Sequence, residues 1–203
     1  MNKRGKIIVL EGIDKAGKST QSHMLLNYLR GIYSKQISVL SFPDYDSPTG
    51  KEIRAYLDGL RNNYSSEWLH LIYAANRYEW KKIIEKALDE EQILILNRYF
   101  ESNIVYGAIH GASIDWLVSL DYYMPKPDLT IILDIPVSES SKRTNNPDVN
   151  ESDIQLLQKV RTLFLDLARS YNWEIINANR SKQEVHKDIV MAVEKKLSSS
   201  LLI

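Results

Sequence analysis

The chain has 203 residues, is 44% hydrophobic, and balances 26 Lys+Arg against 26 Asp+Glu. That length fits one domain over residues 1–203, and the zero net charge excludes a long-range field for nucleic acid or an anionic membrane. The absence of cysteine excludes disulfides, thiolate metal ligands and cysteine nucleophiles.

The basic start and the short apolar run after it are too brief for a signal peptide. No apolar stretch approaches the ~20 residues of a membrane span. The expectation is a soluble, cytoplasmic protein.

Ile7–Glu11 is the first predicted strand. It leads directly into Gly12-Ile13-Asp14-Lys15-Ala16-Gly17-Lys18-Ser19-Thr20, a complete phosphate-binding loop. Gly12 and Gly17 permit backbone conformations that side chains forbid. The loop N–H groups can then converge on phosphate oxygens. Lys18 suits the terminal phosphates and the Ser19 hydroxyl suits Mg²⁺. A helix over Ser19–Leu29 turns its positive dipole end toward the same place.

Further short aliphatic runs predict strands at Ile37–Phe42, Ile93–Asn97, Leu129–Asp134 and Glu174–Asn177. Between them lie a long helical pattern over Trp68–Leu88 and two helices opened by capping boxes. The boxes are Ser152-x-x-Gln155 before Ser152–Tyr171 and Ser181-x-x-Glu184 before Ser181–Leu197. Phe42–Lys51 and Ser138–Ser152 read as polar turns, the second as a candidate lid, and Ser198–Ile203 as a frayed tail. Strand alternating with helix indicates a parallel α/β sheet.

A phosphate loop alone gives nucleotide binding without a reaction. No guanine-reading Asn-Lys-x-Asp is present, while arginines and aromatics fall in segments that would line a second pocket. Tyr73 and Arg77 share a helix face, and an arginine beside alanines on an apolar face needs a partner. Arg98 ends an apolar strand, which puts it at the carboxyl edge of the sheet. The aromatics read equally as core packing. The four histidines show no metal-ligand spacing, and Asp134 reads equally as a metal assistant or a turn residue.

The chain resembles the thymidylate kinases, nearer the eukaryotic and poxviral type. The matching stretches are Leu10–Gln21, Phe42-Pro43, Gly50-Lys51, Ala75-Asn-Arg-Tyr-Glu79, Arg98-Tyr99 and Pro125-Lys-Pro-Asp-Leu129. The resemblance implies a three-layer P-loop fold, a five-stranded parallel sheet flanked by helices with a short lid near residues 138–152. It implies ATP- and Mg²⁺-dependent conversion of dTMP to dTDP by a homodimer, without nucleic-acid or membrane partners. By position in the family, Lys15, Lys18 and Arg98 are catalytic, and Arg98 binds the acceptor phosphate. Residues Gly12 through Thr20 and Arg143 hold ATP, the adenine lying by Arg143 and the Asn177–Arg180 turn, and Ser19 holds the metal. Asp14 bonds the sugar 3′-hydroxyl, Tyr73 stacks on the base and Arg77 bonds its carbonyl, within a wall of Phe42, Leu57 and Tyr106.

Three departures stand out, one of them being that the basic residue sits in the loop as Lys15 while Thr144–Ser152 has none, the eukaryotic-type arrangement. Asn97 replaces the usual aspartate before the arginine. Tyr45 replaces an arginine, with Lys51 or Arg54 as possible compensation. The alternatives are another acceptor (dUMP, a different nucleotide or a deoxynucleoside) and a nucleotide-binding relative without catalysis.

Overall fold

The computed structural model describes residues 4–61, 64–143 and 153–199. Five parallel strands form one sheet: β1 (Lys6–Glu11), β2 (Ile37–Ser41), β3 (Ile93–Asn97), β4 (Leu129–Asp134) and β5 (Glu174–Asn177). Their spatial order is β2-β3-β1-β4-β5, so the phosphate-loop strand is central. Register runs Val9 opposite Leu96 on one side and Thr130 on the other. Burial on both faces explains the continuous aliphatic runs. Each predicted strand is present, with β1 starting one residue earlier and β2 stopping before Phe42.

Helices α1 (Lys18–Ile32), α8 (Ile154–Tyr171) and α9 (Lys182–Ser199) contribute to the larger core, with α5 (Phe100–Ile109). Helices α2 (Pro48–Leu57), α3 (Ser66–Glu79) and α4 (Lys81–Asp89) lie between β2 and β3 in the chain, and α6 (Ile114–Leu120) and α7 (Val137–Lys142) complete the described elements. Ile84 and Leu88 of α4 pack with Ile7, Leu94 and Phe42 in a second core. None of these helices is long and apolar enough to cross a membrane.

Four expectations need correction. The pattern over Trp68–Leu88 is two helices rather than one. Trp80 breaks it, with its indole N–H donating to Asp44 Oδ2 at 3.1 Å and its ring edge-on to Phe42. Phe42–Lys51 is turn-like only up to Ser47. The Ser47 hydroxyl accepts from Gly50 N, and Pro48 opens α2, as proline suits a first helical turn. The cap of α8 is Asp153, whose Oδ1 accepts from Leu156 N at 2.9 Å. Ser152 lies outside the described residues. The start of the expected lid is α7, and residues 144–152 lie outside the described set, as does the tail from 200 to 203. The Ser181–Glu184 capping box is present, with bonds in both directions.

Candidate active site

Gly12 takes φ 130°, and a Cβ there would meet the Leu133 carbonyl oxygen at 2.6 Å. Only glycine lets the loop pass so close to β4. Gly17 (φ 100°) caps α1, which begins at Lys18. Lys18 is buried, and its ammonium donates to the Gly12 and Ile13 carbonyls at 2.9 and 2.8 Å. That grip holds the cation inside the loop. Lys15 sits at φ 57°, so the loop tip carries a strained, exposed lysine.

Arg98 follows β3 with φ 66°, its N–H donating to the Leu10 carbonyl at 3.0 Å. Its guanidinium bonds Asp14, Ser102 Oγ (2.9 Å) and the Gly12 carbonyl (3.3 Å). Burial raises the Asp14 carboxyl, but the charges of Arg98 and Lys18 outweigh this and hold it at about 2. Asp14 is therefore a fixed anion at neutral pH. Tyr106 donates a long bond, 3.4 Å, to its other oxygen. Beneath them Glu11 is fully buried. It accepts from Tyr99 N (2.9 Å), Ser102 N (3.1 Å) and Ser102 Oγ (2.7 Å). A carboxylate here accepts from Tyr99 just before α5 and from Ser102 in its first turn, and so anchors the start of that helix.

All seven residues expected to bind the acceptor, Asp14, Phe42, Leu57, Tyr73, Arg77, Arg98 and Tyr106, line one cavity. Asp14 through Thr20 and Arg143 line an adjoining cleft that ends at Arg180 and Ser181. Gly12 and Ile13 lie behind that wall. Asp14, Phe42, Pro43, Tyr45 and Arg98 border both spaces. Arg143 donates to the Lys15 carbonyl at 3.2 Å, tying α7 to the loop.

Several partnerships were not legible in the sequence. Arg77 is paired within the protein: its Nε and Nη2 donate to Asp121 at 2.7 and 2.6 Å, both side chains buried. The need for a partner that its apolar surroundings implied is thus met by Asp121, which fixes the guanidinium plane on the cavity wall. Asn76 staples the segment after β2 onto α3. It accepts from Asp44 N and donates to Asp44 O, Ser47 Oγ and Thr49 Oγ1, all within 2.8–3.1 Å. Asn76 and Arg77 thus do separate jobs in one motif. Asp134 is held by Arg161 of α8 at 2.6 and 2.9 Å, an ion pair that ties the end of β4 to α8. Arg54 lies 5.5 Å over the Tyr45 ring and also pairs with Asp58.

Among the described residues no cluster of three His, Cys, Asp or Glu could hold a metal. The cleft offers oxygens of another kind. Ser19 is exposed, and the buried Asn97 Oδ1 has no protein partner. Hydroxyl and carboxamide oxygens beside a phosphate cradle fit a hard cation brought in with a nucleotide.

A family model described as thymidylate kinase matches residues 10–189. The chain belongs to the thymidylate kinase family. A probable thymidylate kinase of Pyrococcus abyssi is 37% identical over 207 residues, spanning 96% of this chain and 98% of its own. The thymidylate kinase of Homo sapiens is 32% identical over 190 residues, spanning 92% and 89%. The solved thymidylate kinase of Candida albicans superposes with a TM-score of 0.84 at 29% identity, covering 97% of this chain and 94% of its own. Family membership agrees with the site: a phosphate loop opens into a second, aromatic-lined cavity across a shared wall.

Proposed function

We propose that the chain is a dTMP kinase, transferring the γ-phosphoryl group of ATP to dTMP and releasing ADP and dTDP. The observation that carries this is the shared wall, where Asp14, Arg98 and Tyr45 border both the cleft and the cavity. An acceptor phosphate near Arg98 lies next to the loop that holds the donor. Transfer forms a bond from an acceptor phosphate oxygen to Pγ and breaks the bond from Pγ to the β,γ-bridging oxygen. Such a reaction needs positioning and charge compensation more than a strong base.

Arg98 suits a phosphate because its fork pairs two oxygens and keeps its charge. Lys18 and the loop N–H groups hold the β- and γ-phosphoryl oxygens. Lys15, exposed on the loop tip, reaches the γ-phosphoryl as its charge shifts toward ADP. Asp14, ionised and held by Arg98, accepts from the sugar 3′-hydroxyl. Tyr73 stacks on the base, Arg77 donates to its carbonyl, and Phe42, Leu57 and Tyr106 exclude water. Ser19 and Asn97 would hold Mg²⁺, with hydroxyl and carboxamide oxygens in place of a protein carboxylate. When bound, Mg²⁺ supplies charge neutralisation on the phosphoryl oxygens. Adenine lies against Arg143 and the turn Asn177–Arg180. The chain works as a single domain and as a homodimer. Exposed Leu71 on α3 and exposed Tyr122 and Tyr123 after α6 support an apolar contact face.

The test is kcat/KM with Mg·ATP and dTMP, dUMP, dCMP, dGMP or thymidine. The expected order places dTMP first and dUMP second, with no turnover of thymidine. A better substrate outside that pair overturns the base-pocket reading. No turnover of any acceptor overturns the enzyme. Acceptor breadth is worth measuring because the Candida albicans relative is described as having broad substrate specificity.

A further inference from the structure

His70 is fully buried on α3, one turn before Tyr73 and two before Arg77 on the same helix face, and it lines the acceptor cavity. Its protonation pattern follows from its neighbour. Asn103 of α5 donates from Nδ2 to the His70 backbone carbonyl at 3.1 Å. A carbonyl only accepts, so that end of the amide is nitrogen and the other end is Oδ1. Oδ1 lies 2.8 Å from His70 Nδ1. An amide oxygen also only accepts, so Nδ1 carries the proton. In the neutral ring Nε2 then presents a bare lone pair. Nε2 is buried and has no partner in the protein. Burial keeps His70 and the adjacent His110 below the ordinary histidine range, which favours the neutral ring.

The α3 face therefore offers three functions in sequence: a lone-pair acceptor at His70, an aromatic plane at Tyr73 and a cationic donor at Arg77. A 4-oxo pyrimidine presents the complement, a carbonyl acceptor beside an imide N3–H donor. Cytosine presents the reverse, an amino donor beside a bare N3. We propose that His70 Nε2, locked in this tautomer by Asn103, accepts a hydrogen bond from the imide N3–H of the acceptor base, directly or through one water. His70 is then a specificity determinant that separates thymine and uracil from cytosine, and Asn103 is its positioning residue. This inference rests on the reading that the cavity holds the base of dTMP.

The test uses the whole protein labelled with ¹⁵N-histidine. Ring-nitrogen spectra are recorded free and saturated with dTMP, dTMP binding being followed separately by calorimetry. In the free protein His70 shows a protonated Nδ1 and a bare Nε2. On saturation the Nε2 resonance moves toward the hydrogen-bonded position while Nδ1 stays protonated. The same sample with dUMP, which carries the same N3–H, gives the same direction of shift. His70→Phe keeps the ring and removes the acceptor. It raises KM for dTMP about 10-fold and lowers the dTMP-over-dCMP preference, with KM for ATP unchanged. A protonated Nε2 in the free protein overturns the proposal. So does an unmoved Nε2 when calorimetry shows dTMP bound, and in that case the dTMP kinase reading stands. If dTMP does not bind at all, both readings fall.

Discussion

The cleft has one contiguous stretch, Asp14 through Gln21, as its largest single contribution, whereas the cavity takes side chains from the loop, the segment after β2, α2, α3, the residue after β3 and α5. The first is built largely from backbone: two positive-φ glycines, a helix start and a lysine gripping loop carbonyls. The second depends on pairs distant in sequence, Arg77 with Asp121, Asn76 with Asp44, and His70 with Asn103. Contiguous backbone chemistry is readable as a motif. Side-chain chemistry assembled across elements becomes readable only when the elements are placed.

That difference can be broken at chosen points. The largest effect belongs to the shared wall. Arg98→Ala removes the cation proposed to hold the acceptor phosphate and leaves Asp14 without its Arg98 partner. It is expected to lower kcat/KM for dTMP about 10³-fold in steady-state kinetics. Asp121→Ala acts on the acceptor side alone. It strands a buried guanidinium, which costs about 3–5 kcal/mol of stability and raises KM for dTMP while KM for ATP holds. Chemical denaturation and paired kinetics read both parts. An Asp121→Ala protein of unchanged stability would mean that Arg77 finds water or another partner. Lys15→Ala acts on the donor side and is expected to lower kcat about 10²-fold with ATP affinity intact. Weaker ATP binding with unchanged turnover would remove its catalytic role.

The smallest effect lies under the site, at Glu101. Burial first, then the nearby charge of Glu11, pushes its carboxyl up to about 8. The folded protein holds this proton where the unfolded chain has lost it. Stability therefore falls as pH rises from about 4.5 toward 8. Glu101→Gln should flatten that slope, its advantage growing with pH, as measured by unfolding at pH 5, 7 and 8.5. An unchanged slope would place the titration elsewhere.

The strands were legible because buried parallel strands are unbroken aliphatic runs, and Lys18, Ser19 and Arg98 because a loop motif and a strand end fix their places. Helix α5 was not legible, because its start is satisfied by Glu11, 88 positions or more away. The break at Trp80 has no glycine or proline to announce it; Asp44 and Phe42 hold the indole there. Arg77 was legible as an arginine in need of a partner, but Asp121 in a tyrosine-rich turn gave no sign of being that partner. Ser47-Pro48 did carry a helix-start signal that reads as a turn when proline is taken only as a breaker.

The most direct test of the account is transfer of label from [γ-³²P]ATP in the presence of Mg²⁺ and dTMP. Label appearing in dTDP in step with ADP, with little free phosphate, is the predicted result. Label released as phosphate at the same rate with or without dTMP would contradict it, because the cleft and the cavity would then not meet over a transferred group.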